Sequence, residues 1–209
     1  DQARGDLDAA YAKFLELLEI RRRLAQELGT PQSLRDVSVS LNQLGDIDQA
    51  RGDLDAAQAK FLECLEITRQ LAQELGTPDS LRDVSGSLAW LGFIDQARGD
   101  LEAALAYKTE ELAIDLELGD PDTIRETYAS AIELAETADD PDQAVAWRNE
   151  LAAFERQHPD RIPVIVGITG HRDPSDPEQL RAHFETVFKA IDRMAPHSPI
   201  WLLTPLAAG

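Results

Sequence analysis

The sequence predicts a mainly all-α fold, a helical-hairpin solenoid that is followed by a shorter α/β piece at the C-terminus. The decapeptide DQARGDLDAA at Asp1 returns at Asp48 and, as DQARGDLEAA, at Asp95, with a constant step of 47 residues. Apolar residues between these points recur every three to four positions, which is the spacing of one helical face. A fixed period of this length indicates a repeat array. After residue 158 this pattern stops and strand-like segments begin.

Composition excludes several classes of function. The chain has 209 residues, 20 Lys plus Arg against 39 Asp plus Glu, and a formal charge of −19. Nucleic acids and anionic membranes need a basic surface, so we expect neither as a direct partner. The longest apolar stretch, 162–168, is far shorter than the roughly 20 residues that span a bilayer. Cys64 is the single cysteine, which excludes an intrachain disulfide and favours a cytoplasmic chain.

Charge also divides the chain. Residues 161–209 carry five basic and five acidic side chains, so the whole negative excess precedes them. We therefore predict two domains, helical repeats over 1–158 and a second domain over 159–209, with Pro159 ending the last helix. Because the sequence starts at Asp1 and stops at Gly209 directly after a strand-like run, we expect a fragment of a longer protein.

Each 47-residue unit contains the signals of two helices. Thr30-Pro31 and Thr77-Pro78 place a capping hydroxyl before a proline at the first helical position. Arg51-Gly52 and Arg98-Gly99 supply a cation and a glycine at the helix end, where a left-handed residue is favoured. The apolar face of the second helix is formed by Leu54, Ala57, Phe61, Leu65, Thr68, Leu71 and Leu75.

At these residues the array resembles the tetratricopeptide repeat in its longer-helix form. The resemblance is carried by Leu44-Gly45, Gly52-Asp53, Ala57 and Phe61, and again by Leu91-Gly92, Gly99-Asp100 and Ala104. It implies hairpins that stack into a superhelix, whose first helices line a groove for a peptide or protein. A divergent fourth hairpin over 122–137 and 141–157 is expected as a terminal cap.

The third unit departs from the pattern of the second. Lys108 and Glu111 stand where Phe61 and Cys64 stand one unit earlier. We expect Tyr107 and Leu112 to take over the packing there. Cys64 replaces Leu17 at a core position, which indicates a small buried side chain rather than a nucleophile.

Differences between the first two units predict a binding groove. Residues 1–47 and 48–94 are identical at 38 of 47 positions. Four of the nine changes, Val39 to Gly86, Asn42 to Ala89, Gln43 to Trp90 and Asp46 to Phe93, fall within an arc of about 100° on the first helix. By resemblance to the family, we predict that the groove is lined by Val39, Asn42, Asp46, Gly86, Ala89, Trp90 and Phe93. The alternative interpretation is drift on a solvated face.

Three arginines recur at one place in the first helices, Arg35, Arg82 and Arg125. They form a candidate ladder for acidic peptides or a carboxylate. Since each is followed by an acidic residue, the alternative interpretation is a ladder of interhelical salt bridges.

The C-terminal residues predict a βαβ unit. A strand over 162–168 is followed by the turn Thr169–Asp173, a helix over 177–194 and a strand over 200–203. The strings Gly167–Asp173 and Leu203–Gly209 resemble the opening of the SLOG superfamily, whose members have a Rossmann-like sheet. That resemblance implies a nucleotide or nucleotide derivative as ligand. The implied binding residues are Gly167, Thr169, Gly170, His171, Arg172 and Gly209.

Two functions follow from these patterns. The first is a protein-interaction scaffold, with a peptide or protein partner in the groove and no catalysis in the repeats. The second is a nucleotide-derivative sensor or phosphoribohydrolase-like enzyme in the intact parent protein, with the repeats as a regulatory arm. The scattered histidines give no metal-site spacing, so no metal is predicted.

Overall fold

The computed structural model describes residues 2–158, 164–167, 185–190 and 200–203. Seven helices occupy the first of these ranges: α1 (Gln2–Leu28), α2 (Pro31–Ala50), α3 (Leu54–Leu75), α4 (Pro78–Arg98), α5 (Leu101–Leu118), α6 (Pro121–Thr137) and α7 (Pro141–Gln157). Residues 185–190 are also helical. Two strands, β1 (Val164–Gly167) and β2 (Ile200–Leu203), pair in parallel. The chain divides into two compact units, Asp1–Ala153 and Phe154–Gly209.

The predicted helix boundaries are confirmed. The Thr30 hydroxyl accepts a hydrogen bond from the Ser33 amide at 3.2 Å, and Thr77 does the same for Ser80 at 3.2 Å. A cap of this kind stabilises a helix by about 1 kcal/mol. Gly52 and Gly99 adopt φ of +81° and +82°, a left-handed conformation that favours glycine and turns the chain sharply into the next helix. The fourth hairpin, α6 and α7, lies where it was predicted.

Helix packing follows the order of the chain. From α1 to α6 each helix packs on its sequence neighbours, and two apolar clusters lie between the helices of the first two repeats. One cluster joins α1, α2 and α3 and contains Leu18, Val37, Leu41, Leu44 and Cys64. The other joins α3 and α4 and contains Ala57, Phe61, Leu65, Val84, Leu88, Leu91 and Ile94. Successive clusters of this kind, each shared only by neighbouring helices, are typical of a solenoid.

The third unit is packed by the predicted substitutes. Leu112 is buried, and Tyr107 packs against the α3–α4 cluster. Glu111 is also buried and forms an ion pair with Lys108 at 2.7 Å. Burial raises the pKa of the Glu111 carboxyl, although the adjacent ammonium opposes this shift. An ion pair thus stands where α3 has a phenylalanine and a cysteine.

The Rossmann-like part of the fold-class prediction is wrong, and the fold class is corrected to an all-α helical solenoid. A Rossmann-like layer requires a longer parallel sheet with helices on both faces. The described residues beyond Gln157 contain only two four-residue strands, paired with each other, and six helical residues. The prediction placed strand-like composition correctly in the charge-neutral segment, but a short strand pair does not define that fold. The boundary predicted at residue 158 stays a prediction.

The helices also bear on membrane insertion. Within the described residues, no helix combines the length and the apolar character needed to cross a bilayer.

Candidate partner-binding face

An ion pair places α2 and α4 side by side. The Arg35 Nε lies 2.9 Å from Asp83 Oδ2, and both residues belong to the first two turns of their helices. The two helices therefore start at the same level. Near these two helix starts, equivalent positions of the two units consequently lie close together.

The predicted groove residues lie on the sides of α2 and α4 that are not fully covered. Val39, Asp46, Gly86 and Phe93 are exposed, and Asn42 and Ala89 are half-buried. We call this set, together with Trp90, the α2–α4 face. Phe93 leaves 50% of its surface in solvent and Val39 leaves 42%. A Cβ added at Gly86 would meet no atom within 4 Å, so the surface at Gly86 is open.

Trp90 makes a core contact that the sequence did not reveal. Its ring stacks on Phe61, with centroids 5.6 Å apart and an interplanar angle of 5°. Phe61 is fully buried, whereas Trp90 is 38% exposed. Trp90 thus closes one side of the core and offers its remaining surface to the α2–α4 face. The equivalent residue Gln43 has no aromatic ring, so the first unit lacks this stacking contact.

Polar side chains of α2 lie at this face and beneath it. Asn42 Oδ1 and Gln43 Oε1 are buried and have no hydrogen-bond partner among the described residues. Partial burial raises the pKa of the neighbouring Asp46 carboxyl. The exposed Asp46 carboxylate favours a ligand that brings N–H donors, such as a peptide backbone.

The three arginines of the predicted ladder are each engaged by a carboxylate. Arg35 bridges to Asp83 of the next unit, as described above. Arg82 Nη1 lies 2.7 Å from Asp79, and Arg125 Nη1 lies 2.9 Å from Asp122, both within one helix. Binding of an acidic ligand by this ladder stays a prediction, and it would require these pairs to open.

Ion pairs that repeat with the period of the sequence were missed by sequence reasoning. Arg22 and Glu63 pair at 2.5 Å between α1 and α3, and Arg69 and Glu110 pair at 2.6 Å between α3 and α5. All four side chains are more than 40% exposed, so each pair contributes about 0–1 kcal/mol. The signal was available, since both partners return after 47 residues.

Two buried aspartates at equivalent places have different surroundings. Asp48 forms ion pairs with Lys60 and, at 3.6 Å, with Arg51. Asp95 accepts a hydrogen bond from the Gln58 amide at 2.5 Å, and Tyr107 stands where the lysine would be. Burial raises the pKa of Asp95, and the charge of Asp100 adds to this effect.

Cys64, possible metal ligands and the predicted nucleotide-binding residues complete the set of candidate site residues. Cys64 is fully buried, as predicted, and burial raises the pKa of its thiol, which opposes nucleophilic reactivity. Among the described residues, no group of three or more His, Cys, Asp or Glu could hold a metal ion. Gly167 is the last residue of β1. The other predicted nucleotide-binding residues, Thr169, Gly170, His171, Arg172 and Gly209, lie outside the described residues.

Comparison with known proteins adds support for the fold. No family model matches the chain, and no curated protein matches it significantly. The crystal structure of BtubC (BKLC) from P. vanneervenii is similar over 82% of this chain, with 20% identity and a TM-score of 0.55. This chain spans 63% of the length of that protein. The crystal structure of MamA matches over 75% of this chain and 93% of its own, with 16% identity and a TM-score of 0.44. The chain is a helical repeat array.

Proposed function

We propose that this chain is a protein-interaction scaffold of the tetratricopeptide type, which binds a segment of a partner protein on the α2–α4 face. One observation carries the proposal: Phe93 leaves half of its surface in solvent where the preceding unit has Asp46. A large exposed aromatic is unfavourable unless a partner covers it, and buried aromatic anchors dominate the energy of protein interfaces.

The surroundings of Phe93 fit an apolar anchor with polar flanks. Gly86 lies about two helical turns before Phe93 on the same side of α4, and the surface there is open, while Val39 supplies an exposed apolar side chain on α2. Asp46, which is exposed, can accept hydrogen bonds from the partner's backbone or from a basic side chain. We therefore expect an extended or helical segment with one large apolar residue and adjacent N–H donors.

A peptide selection tests this proposal. Peptides selected from a random displayed library against the chain are titrated against the wild type, Phe93→Asp and Leu62→Asp. The first variant copies the other unit, and the second places the same charge at a residue of α3 that is 44% exposed. We expect Phe93→Asp to weaken binding by about 1–3 kcal/mol, or roughly 5- to 150-fold, and Leu62→Asp to leave it unchanged. Selected peptides that bind all three proteins equally would contradict the proposal.

A further inference from the structure

One face of α1 is open although its counterpart in α3 is buried. Residues 7–20 and 54–67 differ only at Tyr11 against Gln58 and Leu17 against Cys64. In α3, the side chains of Ala57, Phe61 and Cys64 are fully buried. Their counterparts Ala10, Phe14 and Leu17 are only half-buried and, with Ala9 and Lys13, line an open pocket of about 480 Å³. Since the two sequences are nearly identical, the difference in burial arises from the helices that pack on α1 and on α3.

Helix α2 covers this face on α3, by two specific contacts. Gly45 lies so close to Phe61 that a Cβ at Gly45 would stand 2.7 Å from two carbons of the ring. At the end of α2, the Asp48 carboxylate forms an ion pair with the Lys60 ammonium. A glycine that admits the ring and an aspartate that neutralises the lysine therefore define the complementary surface.

The same two features are unmatched on α1. Lys13 is exposed and has no carboxylate partner among the described residues. The ring of Phe14 retains solvent contact on the side where Phe61 meets Gly45.

We propose that the α1 face formed by Ala10, Lys13, Phe14 and Leu17 is a docking site for a helix with the α2 pattern Leu-x-x-Leu-Gly-x-Ile-Asp, as in residues 41–48. The glycine of that helix admits the Phe14 ring, its aspartate pairs with Lys13, and its leucines fill the pocket. The site continues the α2–α3 interface by one further helix. This inference does not depend on the α2–α4 face.

The backbone of α1 supplies a second observation. Residues 1–10 and 48–57 have the same sequence, yet α1 runs as one helix from Gln2, whereas residues 51–53 form a turn. The turn depends on Gly52 at φ +81° and on α2, which precedes it and packs on α3. Docking of an α2-type helix in cis is therefore expected to convert residues 4–6 from helix to turn.

The test supplies this helix in cis, because a free helix of about 20 residues is marginally stable in water. A second copy of residues 29–47 is placed before Asp1 of the full chain, so that Asp1 takes the place of Asp48. We expect the melting temperature to rise by about 5 °C. In this extended chain, Asp1→Lys and Lys13→Glu should each remove at least half of the rise. The double variant, which reverses the pair, should restore it.

Two controls separate docking from simple helix extension. In the original chain, Lys13→Glu should melt within about 1 °C of the wild type, since Lys13 is exposed and exposed substitutions have small effects. Valine in place of the added glycine should abolish the rise, because its side chain would occupy the space of the Phe14 ring. No rise in the extended chain would overturn the proposal. A rise that is insensitive to Lys13 and to the glycine would overturn it as well.

Discussion

The α2–α3 and α4–α5 hairpins have related sequences but fill the space between their helices differently. In the first, the Phe61 ring lies against Gly45 and is fully buried. In the second, a Cβ added at Gly92 would meet only the Ala104 carbonyl oxygen and the Tyr107 Cβ, each at 3.7 Å. The N-caps Thr30 and Thr77 have the same capping box, and Gly52 and Gly99 have the same left-handed conformation. The comparison shows that the capping and turn residues preserve the hairpin, whereas the side chains packed between its two helices can be exchanged.

The largest expected effect on stability concerns the Phe61 ring. Phe61→Ala should lower the free energy of unfolding by about 3–5 kcal/mol, because it leaves a cavity between α2, α3 and α4 and removes the stacking on Trp90. Phe14→Ala, at the half-buried counterpart in α1, should cost about 1–2 kcal/mol. Urea unfolding of both variants measures the difference. Equal losses would contradict the view that Phe61 contributes more to stability than its half-buried counterpart Phe14.

The buried aspartates should respond in opposite directions. Asp48→Asn breaks ion pairs with Lys60 and Arg51 and should destabilise the chain by about 1–3 kcal/mol at pH 7. Asp95→Asn removes a carboxylate whose pKa is raised by burial, so it should be neutral or stabilising at pH 7.

The pH dependence of the second variant has a definite sign. Below its raised folded-state pKa, Asp95 binds a proton more readily in the folded chain than in the unfolded chain, where its ordinary pKa is 3.8. The penalty from Asp95 therefore disappears as the pH falls through the folded-state pKa towards 3.8. Thermal melts of the wild type and Asp95→Asn should converge over that range. A constant difference between pH 4 and pH 7 would contradict this assignment.

The smallest effect compares the two glycines. Gly92→Ala should stabilise the chain by about 0.5–1 kcal/mol, since alanine is the better helix former and its Cβ meets only ordinary contacts. Gly45→Ala should destabilise it by about 1 kcal/mol, because the Phe61 ring must shift within a packed core. Chemical denaturation of the matched pair checks the signs, and a gain at both positions would mean that the ring is free to move.

Much of the fold could be predicted because its signals are local. Capping threonines, first-turn prolines and glycine turns each act within a few residues, and they placed the helix ends of the first two hairpins correctly. The packing of Tyr107 and Leu112 was also predictable from the repeat comparison. The Rossmann-like assignment failed because a βαβ order of short segments is compatible with more than one fold.

The parts that could not be predicted depend on neighbours in space. The stacking of Trp90 on Phe61 requires the packing of α4 against α3, which no sequence window contains. Residues 4–6 are helical although the identical sequence at 51–53 forms a turn. The exposed positions of the α2–α4 face, Val39, Asp46 and Phe93, were indicated by helical periodicity, but their binding role stays a prediction.

The near-identity of the first two units bears on how the chain folds. Because residues 7–20 and 54–67 are almost the same, α1 presents to α4 nearly the same surface as α3 does. A pairing of α4 with α1, which skips one hairpin, therefore competes with the native pairing of α4 with α3. The longer loop of that pairing costs only about 0.6 kcal/mol for each doubling of its length. Correct assembly therefore rests on the nine positions at which the units differ and on the speed with which the shorter connections close.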